Sequence, residues 1–179
     1  MALTTLHLAK ENFKFSSAHF LIFDSKSAEM LHGHNYQVRV DITGPDESTS
    51  ADSKNNNSQL GYFVDFNILK KTIKSRLDQW DEHVLLPAQH PDMKYKVSVD
   101  GKNYDIHFRD RFYSLPINEV IWLEINNTSV EQFSKILAAE FYQAFKKFNI
   151  QKICVEVEET RGQSASTIID SESMNSTIE

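Results

Sequence analysis

Residues 34–43 read HNYQVRVDIT, and the stretch alternates along its whole length. Tyr36, Val38, Val40 and Ile42 fall on one face, and Gln37, Arg39 and Asp41 on the other. That period belongs to a strand with one side buried and one side wet. Upstream, residues 11–22 (ENFKFSSAHFLI) are aromatic-rich and suit a second strand, on which Phe13, Phe15, Ser17 and His19 share a parity. The segment between them, 23–31, reads as a loop. Downstream, 44–60 is rich in Asn, Ser and Asp and almost free of large apolar side chains, so it reads as a polar excursion between strands.

A short strand is expected at 61–64. Asp65 can then cap a helix running to about Trp80, with Phe66, Leu69, Ile73, Leu77 and Trp80 as its apolar stripe. Within 88–118 the run KYKVSVDGKNYDIHF (94–108) carries Asp100-Gly101 between two alternating segments, a hairpin signal. A strand is expected at 120–125. A second helix starts at Thr128, with Glu131 at capping-box spacing and a stripe of Val130, Phe133, Leu137, Phe141, Phe145 and Phe148. The last strand is 152–158, with Ile153, Val155 and Val157 facing in. Strand pairs are adjacent in sequence and helices fall between the pairs. The pattern predicts an α+β fold: an antiparallel β-sheet with two helices on one face. One domain is expected over 1–169, followed by a flexible tail at 170–179.

The chain has 179 residues and a formal net charge of −6, which argues against nucleic acid or an anionic membrane as the main partner. A single cysteine, Cys154, excludes an intrachain disulfide framework. The first thirteen residues hold no apolar run of signal-peptide length, and no 18-residue uncharged stretch could span a bilayer. A cytoplasmic protein is expected.

The residues able to do chemistry gather around the opening stretch. His32 and His34 lie two apart at a strand start, so both imidazoles can reach one ion, and His19 offers a third if the two strands pair. Three histidines leave a fourth position open, the arrangement zinc uses in catalysis. Seen alone, an H-x-H pair is more often two half-exposed strand residues. Glu29 sits three residues before His32, where a carboxylate could act as a general base beside an ion; alone it reads as an exposed loop residue. Asp81-Glu82-His83 follows the first helix and could form a carboxylate–imidazole relay, or simply a solvated helix end. Glu158-Glu159-Thr160 ends the last strand, where a carboxylate can accept two parallel N–H bonds from an amidine-like edge such as that of a pterin or guanine. His7, His90 and His107 read as surface, and Cys154 carries no assigned chemistry.

The segments FSSAHF, LHGHNYQV, GYFVDFNILKK, WDEHVLLP, NTSVEQF and EVEET occur in one order over about residues 11–169. That series resembles the 6-pyruvoyltetrahydropterin synthase family, which includes the bacterial 6-carboxytetrahydropterin synthases of queuosine synthesis. The resemblance implies a tunnelling fold (T-fold) closed into an oligomeric β-barrel as a homo-oligomer, trimer or hexamer, with sites at subunit interfaces. It implies zinc at His19, His32 and His34, a pterin triphosphate substrate (7,8-dihydroneopterin triphosphate), and substrate contacts at Glu159 and Ser129. Two departures stand out. Ala28 occupies the position four before His32 where the 6-carboxy enzymes have a catalytic cysteine, and Glu29 follows it in an E-x-x-H-G-H pattern. This resembles the branch in which glutamate replaces the cysteine and the side chain is cleaved to 6-hydroxymethyl-7,8-dihydropterin, a folate precursor. In the relay, Glu82 stands in the expected histidine slot and His83 is one residue late. The catalytic set implied is Glu29, Asp81 and His83. The alternatives on the same scaffold are a 6-pyruvoyl or 6-carboxy product, or a non-catalytic pterin-binding paralogue.

Overall fold

The structure, a computed structural model, describes residues 2–45 and 62–171. Ten strands and two helices follow in order: β1 (Leu3–Leu8), β2 (Lys14–His19), β3 (His32–Pro45), α1 (Phe66–Leu77), β4 (His83–Pro87), β5 (Met93–Val97), β6 (Asn103–Phe108), β7 (Arg111–Pro116), β8 (Val120–Leu123), α2 (Val130–Phe145), β9 (Lys152–Thr160) and β10 (Gln163–Asp170). The main sheet runs β10-β9-β3-β2-β4-β8, and β1 also pairs with β3. β3 serves two partners along one edge: residues 32–37 pair with β2 and residues 40–45 with β1. Its other edge takes β9.

The α+β expectation holds, and the alternation in 34–43 is borne out, with Tyr36, Val38, Val40 and Ile42 fully buried. The pairing is mixed rather than wholly antiparallel, since β2–β4 and β4–β8 are parallel. β4 reads HVLLP, a short apolar run with no alternation to announce it. β1, β7 and β10 were likewise absent from the sequence reading. β10 (QSASTIID) is a mostly polar strand at the end of the sheet, entered through Gly162 at φ +84°. β10 and β8 end the sheet without pairing to each other, so one chain's described sheet stays open.

Helix α1 is capped as expected: the Asp65 side chain accepts from Asn67 N–H. Leu69, Ile73, Leu77 and Trp80 are buried, whereas Phe66 stays exposed. No strand forms at 62–64, and Gly61 lies outside the described residues. Phe63 and Val64, adjacent in sequence, both turn inward, which a strand's alternation forbids. Phe63 closes over Gly44, where any Cβ would strike its ring. The expected capping box at Thr128 does not form. Ser129, not Thr128, is the cap residue of α2 and makes no side-chain cap bond, while Thr128 Oγ1 donates to Phe20 O at 2.8 Å. Of the expected excursion at 44–60, residues 44–45 close β3 and the rest lies outside the described residues. Of the expected tail, residues 172–179 also lie outside them.

Both helices cover one face of the sheet. Phe15 stacks on Tyr36 (4.7 Å between centroids) and meets Trp80 edge-on (5.3 Å), while Phe133 packs on both Trp80 and Tyr36. Burying each such ring stabilises the fold by about 1.5–3 kcal/mol. A second, smaller core of Phe20, Ile22, Leu86, Met93, Ile106, Phe108 and Val120 lies under the three-stranded sheet β5-β6-β7. The expected hairpin insertion at 88–118 is therefore a three-stranded one. No helix among the described residues is long and apolar enough to cross a membrane.

Candidate active site

The pairing of β2 with β3 sets His19 directly opposite His32, so three imidazoles meet at one end of the buried face. One nitrogen from each of His19, His32 and His34 lies within 4.8 Å of the others. The aromatic core forms the floor beneath them, with Tyr36 and Phe133 rings about the buried His19.

Main-chain carbonyls decide which nitrogens are offered. His19 Nδ1–H donates to Thr128 O (2.7 Å) and His32 Nδ1–H to Met30 O (2.8 Å), which leaves each Nε2 as a lone pair aimed inward. His19 Nε2 is buried and has no hydrogen-bond partner. His32 Nε2 and His34 Nε2 stand 2.8 Å apart. Lone pairs this close repel unless a proton or a cation lies between them. An orphaned buried nitrogen, two imidazoles held from behind by carbonyls and three convergent ring nitrogens fit a divalent metal with an open fourth position. Burial pushes the His19 pKa below its ordinary 6.5, which keeps the ring neutral and able to ligate.

Two carboxylates flank the imidazoles. Glu29 Oε2 lies 3.7 Å from His32 Nε2, and Leu21 N–H donates to that same oxygen at 3.0 Å. Glu159 Oε1 lies 3.1 Å from His19 Nε2 and 3.8 Å from His34 Nε2, and it accepts from Tyr36 OH at 3.2 Å. The β9–β10 ladder skips Glu159, with Gln163 opposite Thr160 and Ser164 opposite Glu158. A bulge of that kind re-aims a strand residue. Burial, and then the negative charge of Glu159, pushes the Tyr36 pKa up. Tyr36 and Thr128 escaped the sequence reading as site residues. Tyr36 was legible in principle, because it continues the parity of His32 and His34; the Thr128 contact comes from a carbonyl, which has no residue signature.

Asp81, His83 and Ser129 are not brought to this cluster among the described residues. Asp81 Oδ1 accepts from Ser16 N–H (2.7 Å), and His83 Nδ1–H donates to Asp81 O (2.6 Å) rather than to the carboxylate. Glu82 takes φ +61° and donates its N–H to Ser16 O (2.7 Å), which absorbs the extra residue before His83. His83 then pairs with Ser17 and lines an open groove of about 340 Å³ with Ser16, Gly33, His34 and Asn35. Ser129 stands next to Thr128, at the start of α2. Cys154 is opposite Asp41 and Ile168 on β9, and burial pushes its thiol up.

The comparisons with known proteins agree with this geometry. A protein of Methanocaldococcus jannaschii named "Putative 6-carboxy-5,6,7,8-tetrahydropterin synthase" is 31% identical over 155 residues, 85% of this chain and 87% of that protein. The 6-carboxy-5,6,7,8-tetrahydropterin synthase of Rickettsia bellii is 27% identical over 80% of this chain and 94% of its own. The solved Plasmodium falciparum 6-pyruvoyl tetrahydropterin synthase superposes with a TM-score of 0.81 at 26% identity, covering 95% of this chain and 99% of that one. Structures of the Plasmodium vivax protein, with a TM-score of 0.80, 25% identity and the same coverage, include variants in which a catalytic glutamate is replaced by alanine or by cysteine. A model of the family described as 6-pyruvoyl tetrahydropterin synthase matches residues 8–168. On the matched motifs, the topology and the three-histidine corner, the chain belongs to the 6-pyruvoyl tetrahydropterin synthase family.

Proposed function

We propose that this chain is a zinc-dependent lyase that cleaves the side chain of 7,8-dihydroneopterin triphosphate to give 6-hydroxymethyl-7,8-dihydropterin. The observation that carries the reading is the Glu29 carboxylate, 3.7 Å from a histidine of the metal corner and held by Leu21 N–H. Ala28 stands beside it where the resemblance expects a thiol. The catalytic glutamate of the Plasmodium vivax protein supports a carboxylate in this role.

Zinc at His19, His32 and His34 would act as a Lewis acid, lowering the pKa of a side-chain hydroxyl. Glu29 takes the proton of the C2′ hydroxyl. The C1′–C2′ bond breaks, its electron pair passes to C1′ and into the dihydropterin imine, and C2′ leaves as an aldehyde bearing the triphosphate. A proton returned to C1′ completes 6-hydroxymethyl-7,8-dihydropterin. Glu159 receives the N–H edge of the pterin, with Tyr36 holding one of its oxygens. Asp81, His83 and Ser129 enter through the resemblance alone. Asp81 and His83 contact Ser16 and Ser17 rather than Glu29, which fits a site completed by a second copy of the chain, as the open sheet edges also suggest.

The names of the 6-carboxy relatives favour a second reading, a 6-carboxy product on the same scaffold. The only thiol, on Cys154, weighs against it. Chromatography of the products formed by zinc-loaded protein from 7,8-dihydroneopterin triphosphate separates the readings. A 6-hydroxymethyl peak is expected; a 6-pyruvoyl or 6-carboxy peak, or unchanged substrate, would reject the cleavage.

A further inference from the structure

The loop that presents Glu29 is held from outside the metal corner. Arg111, the first residue of β7, donates through Nη1 to Glu29 O and through Nη2 to Ala28 O (3.0 Å). Two consecutive carbonyls are thus read by one planar fork, a task to which a lysine is not suited. The guanidinium carbon sits 5.8 Å from the Phe108 ring centroid and 5.9 Å from that of Phe20, two buried aromatics of the smaller core. Arg109, at the tip of the same hairpin, grips the other end of the loop. Its Nη2 donates to Asp24 O (2.6 Å) and its Nε to Asp92 (2.8 Å). Arg109 has φ +56°, a left-handed conformation that an arginine holds only where its surroundings demand it. Within the loop, Asp24 accepts from Lys26 N, Ser27 N and Ser27 Oγ, and Glu29 N–H donates to Leu21 O (2.9 Å).

We propose that Arg111 is a positioning residue for Glu29: by binding the carbonyls of Ala28 and Glu29, it fixes the backbone that aims the Glu29 carboxylate at the metal corner. The three-stranded insertion is then a splint for the reacting loop. This role rests on the reading of Glu29 as the base.

The test compares zinc-loaded Arg111→Met, Arg111→Lys, Glu29→Gln and the Arg111→Met/Glu29→Gln double variant on 7,8-dihydroneopterin triphosphate. Zinc content, melting temperature and amide exchange of residues 24–30 are measured in parallel. Arg111→Met is expected to lower kcat by about 10–100-fold, with KM and zinc content unchanged and faster exchange at 27–30. Arg111→Lys should fall between it and the unsubstituted chain. The double variant should be no slower than Glu29→Gln, because both changes act through one carboxylate. Normal kcat in Arg111→Met, or losses that multiply in the double variant, overturns the positioning role and leaves Glu29 as base. A raised KM with intact kcat overturns it in favour of a substrate contact, and a fall in kcat that only tracks lost zinc or unfolding overturns it in favour of a structural one. Turnover unchanged in Glu29→Gln sinks the base itself, and no turnover by the unsubstituted chain sinks both.

Discussion

The metal corner and the three-stranded insertion converge on the same loop by different kinds of contact. The corner brings its reacting groups together side chain to side chain: three imidazoles, Glu159 and Tyr36 meet at one end of β2, β3 and β9, with Glu29 reaching in from the loop, while carbonyls of Thr128 and Met30 only turn the imidazoles from behind. The insertion works side chain to main chain, through arginines on the carbonyls of Asp24, Ala28 and Glu29. The first kind depends on residue identity at both ends of each contact. The second depends on identity at one end only and on the path of the chain at the other. One region supplies the reacting groups and the other supplies their aim.

If that division is right, damage should fall off steeply from corner to insertion. The largest effect is expected for His34→Ala, with loss of bound zinc and of all turnover, read by metal analysis and product chromatography. A variant that kept stoichiometric zinc would break the assignment of the corner. Next comes Glu29→Gln, expected to cut turnover by about 10²–10⁴-fold with zinc retained. Phe108→Ala removes a ring from the smaller core and should cost about 3–5 kcal/mol. The loss should appear in amide exchange as early opening of residues 93–116, while the amides of β9 and α2 stay protected. Simultaneous opening of both regions would erase the boundary drawn here between two cores.

The smallest effect is one of pH. Burial holds the pKa of His90, which packs on Phe108, below 6.5; Asp92 opposes the shift and Arg109 adds to it. The folded state therefore binds this proton less readily than the unfolded chain does. The associated stability is present in full above pH 6.5 and is lost as pH falls through the lowered value. Protection of the amides at 93–116, taken relative to their intrinsic exchange rates, should fall slightly below pH 6.5, and His90→Gln should flatten that dependence. A dependence that survives the substitution would point to another group.

The contrast also explains what was readable in advance. Alternation in 34–43 revealed the central strand, and the parity of Phe13, Phe15, Ser17 and His19 set the third imidazole beside the H-G-H pair once the strands were paired. Glu29 and Glu159 were readable as residue types in series. The parallel strand β4 was not, because the apolar run Val84–Pro87 has no period to betray it. The bulge that re-aims Glu159 arises from the ladder between β9 and β10, and β10 itself is mostly polar. Asp81 and His83 meet within one chain only through the main chain: Ser16 N–H donates to Asp81 Oδ1 and His83 Nδ1–H to Asp81 O, contacts that the residue types do not announce. Arg111 was visible only as one of five arginines, since its partners are carbonyls that every residue carries.

The hydrogen bond from His19 to the carbonyl of Thr128 has an evolutionary consequence. A carboxylate in that place could be lost by one base change; a main-chain oxygen survives every substitution at its own position. Drift at residue 128 can alter the hydroxyl that seats the loop on Phe20, yet the acceptor behind His19 remains as long as the chain enters α2 along the same path. Selection on the ligating form of His19 therefore acts on the route of the backbone, and a lineage could change much of the sequence around residue 128 while keeping the metal corner competent.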